Sequence, residues 1–143
     1  MDIGGKIRTV CDYLDSLPGE AYDYMIGPAS FLFGNDGKGP ACVIAHAMNA
    51  GLLHTNDTEC LYDSGIRQLG FDGSVAFYTV VSRGKKLGGV GNGESAKHIA
   101  VMNLRAYADA RYPIKHEGIP ESVLQIFKTG ETDVSNKNCS EIA

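Results

Sequence analysis

The segment ESAKHIAVMNLRAYADARYP, residues 94–113, admits two readings, and the choice between them decides the fold. As a helix it puts Ala96, Ile99, Ala100, Asn103 and Tyr107 on one face, and its many alanines, with Leu104, are good helix formers. As a strand, residues 99–102 are a short apolar run directly behind His98. The helix fits the apolar stripe better. The strand is the reading that a catalytic His98 needs.

Upstream, VAFYTVV at residues 75–81 is β-branched and aromatic and lies between Gly73-Ser74 and Gly84, which predicts the best strand of the chain. Ile3, Ile7, Val10, Cys11, Leu14 and Leu17 recur at helical spacing, and Pro18-Gly19 ends that run. Residues 21–33, AYDYMIGPASFLF, are aromatic-rich and broken by Gly27-Pro28, suiting two short extended pieces, and GNDGKG at 34–39 reads as a turn. A helix led by Cys42 runs to Asn49 with Gly51 behind it. Asn56 and Glu59 make a capping pair, and Leu61, Gly65, Ile66 and Leu69 form a stripe closed by Gly70. Pro120, followed by Val123, Leu124, Ile126 and Phe127, opens a last short helix. These elements predict an α+β fold: a single domain over residues 1–128, about four helices with a small, mainly antiparallel sheet, and a disordered tail over 129–143.

The chain has 143 residues, enough for one domain with its own core, and is 43% apolar and 21% charged, as globular domains are. A net charge of −4 without clustered lysine and arginine argues against nucleic acid as a partner. No apolar run reaches the roughly eighteen residues of a membrane span, and the N-terminus lacks the plan of a signal peptide. A cytoplasmic protein with reduced thiols at Cys11, Cys42, Cys60 and Cys139 is the expectation.

Two places could carry chemistry. Pro40 at a first helical position puts Cys42 in the first turn, where helix dipole and unpaired amides favour thiolate. Cys42 is then a nucleophile, or else a small buried residue packing like a hydrophobe. As a nucleophile it needs a base, for which His98 is the candidate, with Asn103 or Asp109 to orient the imidazole. The second place is SRGKKLGGVGNGESAKH, residues 82–98, where Arg83, Lys85 and Lys86 stand among glycines that include Gly89 and Gly91, with Lys97 beyond. Backbone amides and cations there could hold an anionic ligand, although no Gly-Lys-Ser/Thr closes a phosphate loop and a plain surface loop has the same composition. Cys42, His46, His54 and Cys60 are possible soft ligands, but their spacing matches no zinc module, so neither metal nor cofactor is expected and His46 reads as a local hydrogen-bonding or surface group. Tyr22, Tyr24, Tyr62, Tyr78, Tyr107 and Tyr112, with Phe31 and Phe33, supply core, rim or interface anchors.

ACVIAHAMNAG followed by KHIAVMN resembles the papain-like superfamily, in particular its leader-peptidase-like branch in bacteria and phages. The resemblance implies Cys42 as nucleophile, His98 as base and Asp109 or Asn103 as orienting group. No glutamine precedes Cys42, and Lys97 stands where that family usually has glycine. The whole plan, from the N-terminal helix through the Cys42 helix and IAVMN to PESVLQIF, is also similar to an uncharacterised small-domain family of phages and actinobacteria, which implies no activity. Two functions follow as expectations. One is a papain-like thiol hydrolase of peptidase or amidase type, or a catalytically silent relative. The other is a small non-catalytic binding or inhibitor protein of phage or bacterial origin that holds a peptide, a protein partner or a small anionic ligand.

Overall fold

Asp2 starts the first helix by accepting a 2.7 Å hydrogen bond from the Gly5 amide, an N-cap that satisfies one of the donors a helix leaves open. Helix α1 (Ile3–Ser16) buries Ile7, Val10, Cys11 and Leu14, the face that their spacing predicts. It stops where Leu17, the residue before Pro18, turns extended. The computed structural model describes residues 2–55, 60–82 and 91–114. After α1 come a 3₁₀ turn (Gly19–Ala21), a π-helical turn (Ser30–Gly34), and helices α2 (Val43–Asn49), α3 (Leu61–Gln68), α4 (Ser74–Val81) and α5 (Gly93–Arg111).

The predicted α+β fold is corrected here: among the described residues there is no strand and no sheet. The only extended pairing there is two isolated backbone bridges, Tyr22 with Ala41 and Asp23 with Asn92. VAFYTVV, read as the best strand, is helix α4. Its β-branched residues found no neighbouring strand, and strand propensity expresses a fit to a pleated, half-buried surface more than an intrinsic backbone preference. As a helix, residues four apart meet the core together. Phe77 and Val81 are buried, with the Phe77 ring 5.2 Å from that of Phe71 and 6.2 Å from that of Tyr62. Thr79 and Ser82 donate back to the carbonyls of Val75 and Tyr78, four residues earlier. The second half of 21–33 is also helical, in the π-helical turn, whereas Tyr22 and Asp23 are extended as expected.

The 94–113 ambiguity resolves to one continuous helix, α5, which lies antiparallel along α1 and ties to it from end to end. Lys97 reaches Leu17, the Cys11 thiol donates to the Val101 carbonyl, Arg105 pairs with Asp12 and Asp15, and Arg8 reaches Ala108, Asp109 and Tyr112. Helix α2 is buried nearly all round from Val43 to Met48, as expected of a helix without a polar face. It packs against α1, α3 and the π-helical turn. The crossing with α3 is close because Gly65 has no side chain: a Cβ there would run into Ile44 Cγ2. Phe71 stacks on Tyr107 at 4.8 Å and joins α3 and α4 to α5.

No helix among the described residues is long and apolar enough to cross a membrane. The Asn56–Glu59 capping pair, the Pro120 helix and the tail lie outside the described residues.

Candidate functional site

Cys42 stands at the N-cap of α2 with extended backbone (φ −81°, ψ 177°), and its carbonyl accepts the first helical bond, 3.1 Å from the His46 amide. The helix therefore starts three residues later than Pro40 implied, and Cys42 caps it instead of standing in its first turn. A short strap of chain, residues 21–26, holds it down. The Cys42 amide donates to Ile26 O at 2.9 Å, the Ala41 amide to Ala21 O at 2.9 Å, and the Asp23 amide to Ala41 O at 3.1 Å. On its other edge the strap is joined to the approach to α5: the Gly93 amide donates to Tyr22 O at 3.0 Å and the Tyr24 amide to Gly91 O at 3.3 Å. Gly91 and Gly93 both have positive φ, +64° and +89°, a conformation that glycine adopts without the strain of a Cβ. Tyr22 is buried in the middle of the strap.

Beneath it Cys42 is only 4% exposed. Two opposing effects act on its thiol. Burial pushes it up to about 11, and the carboxylate of Asp23 adds to this, while the amides of Ala45, Ile44 and Cys42 itself favour the thiolate. Burial wins, so at neutral pH the group is a protonated thiol. Cys11 is pushed further, to about 12, again chiefly by burial. Cys60, at the start of α3, is exposed.

The other proposed members of a catalytic set lie in different surroundings. His98 is exposed in the second turn of α5 and opens on a groove of about 290 Å³ shared with Asp15, Val101, Met102, Arg105, Ala106 and Asp109, and not with Cys42. It heads no strand, unlike the placement expected with a base role. Asn103 donates to Val81 O at 2.9 Å and so satisfies the C-terminal end of α4, and Asp109 accepts from Arg8 at 3.1 Å. Both orienting candidates therefore serve helix packing. Of the proposed ligand loop, Arg83, Lys85, Lys86 and Gly89 lie outside the described residues, while the Gly91 carbonyl is turned to the strap. Lys97, read as a flanking cation of that loop, is buried against Leu17.

His46, expected to bond locally or to reach the surface, does neither: it is buried and bonds to a turn 25 positions away. Its Nε2 lies 2.7 Å from Ala21 O, the acceptor that also takes the Ala41 amide. The ring of Phe31 stands edge-on to it at 4.9 Å. Nε2 thus carries the proton and donates, and burial lowers the imidazole below its usual range. Among the described residues no group of three or more His, Cys, Asp or Glu side chains is placed to hold a metal ion.

The outer face of α4 was missed, because the strand reading alternates sides where the helix gathers them. Val75 is 80% exposed and, with Ser74, Tyr78, Thr79 and Ser82, lines a groove of about 440 Å³. Tyr24 on the strap meets Tyr78 edge-on at 6.3 Å, and the next residue, Met25, is 72% exposed. In comparisons with known proteins, no family model, no curated protein and no solved structure matches this chain.

Proposed function

We propose that this is a non-catalytic binding protein whose partner is an apolar peptide segment seated on the outer face of α4. The observation that carries the reading is the open groove along Ser74, Val75, Tyr78, Thr79 and Ser82. Exposed Val75 gives it an apolar surface, the hydroxyl oxygens of Thr79 and Ser82, whose protons go to the Val75 and Tyr78 carbonyls, can accept from a peptide backbone, and among the described residues no lysine, arginine, aspartate or glutamate lines it. Among the described residues the groove offers a small anion no cation, which favours a peptide. Support for the non-catalytic half comes from Cys42, which is buried, protonated at neutral pH and shares no groove with His98.

Photo-crosslinking from position 75 in cells that make the protein tests this. Replacing Val75 with a benzophenone amino acid should yield a discrete adduct that a crosslinker at exposed Asp72 does not give, and Thr79→Lys should abolish it. Equal adducts from both positions, or none from 75, would sink the reading. Turnover of a peptide or amide substrate that disappears in Cys42→Ala would restore the hydrolase.

A further inference from the structure

We propose that Asn92 is a site of covalent modification, deamidation through a cyclic imide, and that its isoaspartyl product cannot keep the tie between the approach to α5 and the strap. This stands apart from the α4 groove and does not depend on it. Asn92–Gly93 is the one Asn-Gly step of the chain. A glycine after asparagine leaves the main-chain amide with no side chain to shield it. Asn92 is exposed at the N-cap of α5, and no capping bond holds its carboxamide. It faces Asp23 in an isolated antiparallel bridge whose two hydrogen bonds lie on either side of it. The Gly93 amide donates to Tyr22 O at 3.0 Å, and the Tyr24 amide to Gly91 O at 3.3 Å.

The reaction needs only water. The Gly93 nitrogen gives up its proton and attacks Asn92 Cγ; the bond from Cγ to Nδ2 breaks, the amine leaves with that proton as ammonia, and a five-membered imide closes. Water then opens the ring. Cleavage at Cγ gives aspartate with the original main chain. Cleavage at the main-chain carbonyl of residue 92 gives isoaspartate, whose main chain runs through Cβ and Cγ and is longer by one carbon atom. That atom falls between Gly91 O and Gly93 N, the two groups that must meet Tyr24 N and Tyr22 O at once, so their spacing is lost. Either product also sets a carboxylate opposite Asp23, where like charges repel, and beside the hollow of about 270 Å³ that Asn92 lines with Glu20 and Asp23. In the closed bridge the Gly93 N–H is engaged by Tyr22 O, which slows the attack. Two hydrogen bonds of ordinary net strength hold the rate about 5- to 150-fold below that of a free peptide.

The test ages the full chain at pH 8 beside the synthetic peptide VGNGESA, residues 90–96, and locates isoaspartate by peptide mass spectrometry. The expected result is isoaspartate at position 92, with a mass gain of about 1 Da, forming about 5- to 150-fold more slowly than in the peptide. Asn35, Asn49 and Asn103, each followed by a residue with a side chain, should stay intact over the same period. Asn92→Ser, which keeps a residue suited to the N-cap, should abolish the product. In the isoaspartyl fraction, isolated by ion exchange, amide exchange at Gly93 and Tyr24 should quicken about 10-fold or more, and in Asn92→Asp, which has the charge without the added atom, by less. Asn92 left intact after about 150 peptide half-lives, or a rate equal to the peptide's, overturns the proposal. So does an isoaspartyl fraction in which those two amides exchange as in the unmodified protein, or an Asn92→Asp protein that matches it in full.

Discussion

The ammonium of Lys97, in the second turn of α5, donates a 2.5 Å hydrogen bond to the carbonyl oxygen of Leu17, the residue at which α1 ends. Lys97 is 3% exposed, and its only ion-pair partner among the described residues is the exposed Glu94, at 3.6 Å. A lysine so deeply placed costs desolvation energy, and the Leu17 carbonyl would otherwise be left without a donor. Lys97→Met keeps the stem and removes the donor. It should lower unfolding free energy by about 1–3 kcal/mol, measured by urea denaturation at unchanged slope. Glu94→Gln should move it by less than about 0.5 kcal/mol, since that carboxylate stays in water.

Gly65 tests the crossing of α2 and α3. On helix propensity alone Gly65→Ala would stabilise by about 1 kcal/mol. The new methyl would meet Ile44 Cγ2 and approach Met48 Cε to 3.2 Å in a buried contact, and overpacking costs about 1–3 kcal/mol. The net expectation is a loss. Ile44→Leu, which removes the clashing branch, should recover part of it in a double-mutant cycle; strict additivity of the two changes would show that the contact is not the cause.

Acid should weaken the fold through His46. Its folded value lies below the unfolded one, so the unfolded chain binds the extra proton first. That contribution is fully present above about pH 6.5 and is lost as pH falls from there toward the folded value. By pH 5 the loss is at most about 2 kcal/mol. Urea midpoints at pH 7.5 and 5.0 measure it, and the His46→Gln protein should lose correspondingly less.

Two arginines on the α1–α5 seam should behave differently. Arg105 bridges Asp12 and Asp15, both at 2.7 Å, on a largely exposed surface, so Arg105→Ala should cost no more than about 1 kcal/mol and less in high salt. Arg8 donates to the carbonyls of Ala108 and Tyr112 at 3.1 and 2.7 Å and thereby caps the end of α5. Losing Arg8 to alanine should cost about 1–2 kcal/mol, of which only the part from its pair with half-exposed Asp109 is salt-dependent, because two backbone acceptors also lose their donor. Equal salt dependence of the two variants would contradict that division of roles.

What could be read along the chain was whatever rests on neighbours in sequence. The stripe from Ile3 to Leu14 and the stop at Pro18 specify α1, and Gly51 and Gly70, at φ +79° and +86°, close α2 and α3 as their positions imply. The helix led by Cys42 was legible for the same reason. That His46 would be buried and bond to a distant turn was not legible.

Everything that depends on distant packing was decided by the tertiary structure. VAFYTVV became α4 because no strand among the described residues stood ready to pair with it, while Phe71 and Tyr62 offered a surface for Phe77. A helix start favours thiolate at Cys42, yet the strap over it removes water and burial outweighs the amides. Lys97, one more cation beside a glycine loop when read in line, is drawn inside by a carbonyl eighty positions away. Periodicity, caps and stops are properties of a few adjacent residues and appear in the sequence. Solvent exposure belongs to the assembled chain, and it is exposure that sets which of these groups can react, pair or bind.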